Sequence, residues 1–157
     1  MSYLTLKLIH IISATLLLGT GMGIAFFMFM AVRTGDIENI RNTSKHVVLA
    51  DWIFTTPSVI IQLVTGVLLM KVLGYSFTSM WFYLVIGLFF FVGLCWVPVV
   101  FIQLKLRRLA QAESTVVLPV EFKTLFRWWM CLGIPAFISV LIIFYLMVFK
   151  PFLIWHQ

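Results

Sequence analysis

Charge is what this chain has least of. Aspartate and glutamate together number five in 157 residues, and charged residues of both signs make up 10% of the chain against 63% hydrophobic. A soluble domain of this size cannot hide so much apolar surface, whereas a bilayer solvates it directly. Cysteine is scarcer still, with two residues. Cys95 and Cys131 show neither C-x-x-C nor C-x-x-C-H spacing, which argues against a zinc site and a c-type haem attachment. They read as small apolar packing residues. The chain also lacks a Ser/His/Asp arrangement, a phosphate-binding glycine loop and an H-E-x-x-H metal motif. Catalysis without a cofactor is therefore not expected. No internal repeat and no low-complexity tract is present.

What the chain does have is long apolar runs, with a mean hydropathy of +1.13. Residues 3–32, 47–70, 80–104 and 125–149 each exceed the ~20 residues that about 30 Å of hydrocarbon requires. The first is too long for a signal-peptide core, has no basic region before it and no small-residue cleavage site, so it is expected to stay as a span. The expected fold class is all-α: a polytopic membrane protein forming a four-transmembrane-helix up-down bundle, one domain over residues 1–157.

The net charge of +6 is unevenly placed. Arg33, Arg41, Lys45, Lys105, Arg107, Arg108, Lys123 and Arg127 lie in or beside the first and third connections, and Lys7, Lys71 and Lys150 lie on the other side. Positive residues mark the cytoplasmic face. A multi-pass protein of a bacterial inner membrane with both termini periplasmic follows. Anionic headgroups account for the basic residues, so the partner is the lipid bilayer and nucleic acid is not needed.

The first connection, residues 34–44, reads as a short turn, with Thr43 or Ser44 capping the second helix. Gly74 marks a tight second connection, and Pro119 is placed to start the fourth helix. Pro57, Pro98 and Pro135 fall inside helices, where they either bend the bundle open or simply pack. Gly19-x-x-x-Gly23 fits close helix approach, a homo-oligomer contact, or room for a planar cofactor. Met22, Met28 and Met30 offer thioethers of the kind copper(I) favours, but they do not share one face with His10.

Two polar features stand out within the spans. His10 lies in the first, with Ser13, Ala14, Leu17 and Gly21 on its side of the helix. An imidazole inside a bilayer is costly and faces the protein interior or a wet cavity, and it is the commonest metal ligand. In the second span Asp51, Thr55, Ser58, Gln62 and Thr65 recur at helical spacing on one face, which must point inward because hydrocarbon offers them no partners. Asp51 lies one turn inside the boundary, and Arg127 at similar depth is the expected ion-pair partner, with Arg33 and Lys45 as alternatives and a proton relay as the other role. Matching depth places His10 near Thr65, Gly66, Tyr83 and Tyr145, and away from Asp51. His46 is expected at the headgroup boundary. His156 has no recognisable context.

Nearly the whole chain resembles a bacterial family of four-helix integral membrane proteins of unknown function, through the runs LKLIHI, GTGMG, HVVLADWIFTTP, WVPVVFIQLKLRRLA and FRWWMCLGIPAF. A more distant similarity extends to HemJ-type protoporphyrinogen oxidases and CopD-like membrane proteins. It rests on Lys7-x-x-His10, on Pro57 and Gly66, on Phe126-Arg127 with Pro135, and on Phe149-Lys150-Pro151-Phe152. That resemblance implies haem b with His10 as its axial ligand, Gly66, Tyr83 and Tyr145 around it, and a redox or electron-transfer role as a haem-dependent oxidoreductase. The third span carries Trp96 and Gln103 where HemJ-type proteins carry basic or histidine residues. The residues alone leave two further readings open: a cofactor-free transport or accessory protein built on the polar stripe, or a small subunit of a larger membrane complex.

Overall fold

The computed structural model describes residues 2–112 and 117–151. Four long helices cover most of them: α1 (Tyr3–Thr34), α2 (Ile37–Val72), α3 (Met80–Gln111) and α4 (Val120–Phe149). All four are long and apolar enough to cross a membrane, and there is no strand among the described residues. Local chemistry explains the ends. Ser2 accepts the Thr5 N–H at 3.3 Å, and Ser79 accepts that of Phe82 at 3.2 Å, each satisfying an orphan donor of a first turn. Gly35 closes α1 in the left-handed region (φ 71°), which a side chain would strain. His156 lies outside the described residues.

The start of α2 departs from the expected one. Its cap is Asp36, whose carboxylate accepts the Glu38 N–H at 3.0 Å. Thr43 and Ser44 lie inside the helix, where Ser44 bonds back to the Arg41 carbonyl at 2.9 Å. The polar residues of 34–44 look like a loop in composition, yet they are the amphipathic first turns of a span prolonged beyond the hydrocarbon. Only Gly35 and Asp36 separate α1 from α2. Pro119 does precede the last helix as expected.

Two buried clusters tie the bundle at its ends. Ile24, Met28, Ile40, Leu106, Phe122 and Trp129 belong to the larger one, beside the first and third connections. Met70, Trp81 and Leu146 form the smaller one near the second connection. There the Trp81 indole donates to the Leu146 carbonyl at 2.7 Å. Large apolar side chains such as Leu4, Phe27, Leu94 and Phe101 stay exposed, as a chain solvated by lipid permits. Gly19, Gly21 and Gly23 make no close helix approach: a Cβ at any of them would meet nothing within 4 Å.

Pro57 reshapes α2. Proline lacks an N–H and its ring crowds the carbonyl four residues back. The helix responds one turn earlier by widening into a π-helical turn over Asp51–Thr55, closed by the Thr56 N–H on the Asp51 carbonyl. The Thr56 hydroxyl donates to the same carbonyl at 3.1 Å. Pro98 and Pro135 leave α3 and α4 unbroken.

Trp81→Phe keeps the ring in place and removes the bond to Leu146, whose carbonyl still accepts the Lys150 N–H. The expected cost is about 1 kcal/mol, read as a fall of roughly 2–4 °C in the melting temperature of the detergent-purified protein. An unchanged melting temperature would show that this bond does not hold the second connection.

Candidate functional site

The polar stripe of α2 faces inward: Asp51, Thr55, Ser58 and Thr65 are buried, and Gln62 is partly so. Its two halves differ in chemistry. At the Thr65 end the groups are satisfied by α1. Ser13 donates to Gln62 Oε1 at 2.5 Å, and Gln62 Nε2 lies 3.2 Å from His10 Nε2. His10 Nδ1 lies 2.7 Å from the Thr65 hydroxyl, which donates to the Ile61 carbonyl at 2.6 Å. The direction of the chain follows from the Gln62 amide, whose oxygen accepts from Ser13. Gln62 Nε2 donates to His10 Nε2, so Nδ1 carries the hydrogen and donates to Thr65. The His10 Cε1 lies 3.4 Å from the place a Cβ on Gly66 would take, so the missing side chain makes room for this imidazole.

An axial haem ligand needs a ring nitrogen with a free lone pair and space for a macrocycle in front of it. Both His10 nitrogens are engaged, and the space over Gly66 holds the His10 ring itself. Tyr83 and Tyr145 stand on exposed faces of α3 and α4, against Phe82 and Phe149 respectively. Thr65 and Gly66 thus meet His10 as matching depth predicts, and the two tyrosines do not gather with them. The residues present do not fit a haem b held by His10. Among the described residues no group of three or more His, Cys, Asp or Glu gathers as a metal site would require.

The other end of the stripe is more sparsely bonded. Asp51, only 4% exposed, accepts a hydrogen bond from the Trp96 indole of α3 to Oδ1 at 3.3 Å. The expected pair with Arg127 is not made. The ion pairs among the described residues are Arg41–Glu38 and Lys105–Glu121, and Arg127 is exposed on α4. A guanidinium on a long stem at the edge of a span reaches outward to headgroups and water, and the carboxylate of the widened turn meets α3. The buried Trp129 indole N–H has no hydrogen-bond partner.

These groups surround a cavity of about 420 Å³, lined by Leu17 and Gly21 of α1, Asp51 and Thr55 of α2, Trp96 and Gln103 of α3, and Trp129, Gly133 and Phe137 of α4. A smaller cavity of about 100 Å³ shares Thr55 and Trp96 with it and reaches Gln62. The stripe therefore runs from a largely apolar chamber holding a few polar groups to a satisfied brace. Sequence reasoning missed Trp129 and gave Trp96 no role at Asp51. Trp96 did carry a signal of position: indoles favour the two membrane interfaces, and this one lies well inside its apolar run, whereas Trp129 sits one turn from the edge of its own. His46 is exposed, as expected at the boundary.

The chain belongs to a family of predicted integral membrane proteins (DUF2269), whose model matches residues 4–151. Neither the curated proteins nor the solved structures contain a match to it.

The brace has a measurable signature. Thr65→Val should cost about 1 kcal/mol, in line with interhelical hydrogen bonds in membranes. His10→Ala should cost about 1–3 kcal/mol through a lost contact and a small cavity. Because the two side chains share one bond, the double variant should lose less than the sum of the singles, by roughly 0.5 kcal/mol or more. Strict additivity in unfolding measurements on all three variants would sink the brace.

Proposed function

We propose that this protein is a cofactor-independent transport or accessory protein of a bacterial cytoplasmic membrane, working through the Asp51 chamber. The observation that carries the reading is a carboxyl buried in a span, with no cation paired to it among the described residues, on a π-helical turn that faces a cavity. An acidic group inside a membrane is costly and marks a functional place by default. A purely structural acid would be expected to hold a cation from a neighbouring helix, and Arg127 was available for that role. π-Turns, too, concentrate at functional sites. His10 serves the same reading from a distance, holding α1 against α2 so that the chamber keeps its shape.

The orientation belongs to this proposal. Arg33, Arg41, Lys45, Lys105, Arg107 and Arg108 crowd the bundle end where α1 meets α2 and α3 runs toward α4. Positive residues stay in the cytoplasm, so the second connection and both termini face the periplasm.

Three experiments test these statements. In cells lacking the chromosomal copy, Asp51→Asn fails to restore wild-type growth, whereas Thr65→Val restores it. Protein purified from haem-replete cells shows no Soret band; a Soret band that His10→Ala removes would reverse the reading. For orientation, a membrane-impermeant maleimide labels Ser76→Cys in intact cells, and labels Asn39→Cys only after permeabilisation. The opposite pattern inverts the topology.

A further inference from the structure

The chamber has a closed side and an open side. The first half of α2 packs on α3, and α3 packs along α4, while α1 and α4 meet only sparsely. The chamber residues that flank this gap, Met22 and Phe26 of α1 with Ile134 and Ile138 of α4, are exposed. They sit well inside two membrane spans, so the opening faces hydrocarbon. A molecule that reaches the chamber this way arrives dissolved in the bilayer.

The polar groups inside define what such a molecule carries. The Trp129 indole is a donor without an acceptor, on a residue 5% exposed. The Asp51 carboxyl has acceptor capacity beyond its bond from Trp96. A cation would suit Asp51 but would face the positive edge of the Trp129 N–H in a chamber whose walls are otherwise apolar. A hydroxyl both accepts and donates, and so answers both kinds of group. Trp96, Trp129 and Phe137 give a flat ring surfaces to pack on. At about 420 Å³ the chamber lies within the ~300–1,000 Å³ typical of small-molecule sites.

We infer that the chamber binds a membrane-dissolved lipophile with a phenol-type head, admitted sideways between α1 and α4. This rests on the reading of the Asp51 chamber as the functional centre and adds the class of its ligand. The head is held by hydrogen bonds to the polar wall, and the apolar tail leaves through the gap into lipid.

The test compares tritiated 4-heptylphenol with heptylbenzene, which differs only in lacking the hydroxyl, on the full-length protein in phosphatidylethanolamine–phosphatidylglycerol nanodiscs. The expected result is saturable binding of the phenol above that of empty nanodiscs, with heptylbenzene about tenfold weaker, the worth of one buried hydrogen bond. Gly133 lines the chamber and a Cβ there meets nothing within 4 Å, so Gly133→Leu takes up chamber volume and should abolish binding. If that variant does not accumulate, Trp129→Phe keeps the ring and removes the free donor, with about tenfold weaker binding expected. Equal binding of the two probes, or none above empty nanodiscs, overturns the inference. Absent phenol binding together with failed rescue by Asp51→Asn overturns this inference alone. Phenol binding together with full rescue by Asp51→Asn supports the ligand class and overturns Asp51 as the functional centre.

Discussion

Hydrocarbon offers no partner to a polar side chain, and the arrangement of this bundle follows from that constraint. The face of α2 carrying Asp51, Thr55, Ser58, Gln62 and Thr65 has to turn away from lipid, which fixes the rotation of α2 about its own axis. The neighbours then have to bring matching groups to it. α1 supplies His10 and Ser13 opposite Gln62 and Thr65, and α3 supplies the Trp96 indole opposite Asp51. Everything outside that seam is free to be apolar, and the exposed surface is accordingly rich in Leu, Ile and Phe. Apolar packing alone could not choose this arrangement, because a leucine gains as much from a lipid tail as from another helix.

Much of this was legible in the sequence, for reasons that can be named. The spans were readable because hydropathy over twenty residues is a property of composition. The stripe was readable because helical spacing is a local rule. Depth matching brought His10 to Thr65 and Gly66 because two antiparallel helices joined by a short connection are in fixed register. The partner of Asp51 was not readable. Charge complementarity pointed to Arg127, but the choice depended on how a widened turn aims one carboxylate and on whether a surface guanidinium prefers headgroups. Both are tertiary questions. The π-helical turn was visible only as Pro57; which carbonyls a proline frees is local, but how the helix relieves the crowding is not. The role of Gly66 was half legible: closeness of approach was foreseen, and the group that approaches turned out to be an imidazole of the same chain.

The two halves of the stripe separate structure from function on physical grounds. At the Thr65 end every imidazole nitrogen has a partner, and a saturated network in a low-dielectric interior is rigid. Such a network resists ligation, because a metal or haem iron would first have to displace a hydrogen bond. At the Asp51 end an indole N–H is buried without a partner. An unsatisfied group of that kind costs about 1–3 kcal/mol, and a phenylalanine would take its place without that cost. Buried groups that reduce stability persist where something outside the fold completes them. This one lines the chamber beside the one turn of α2 that leaves α-helical geometry, and that chamber opens through the least packed seam of the bundle. An unmet hydrogen bond, relaxed backbone and access coincide there, whereas His10 has none of the three.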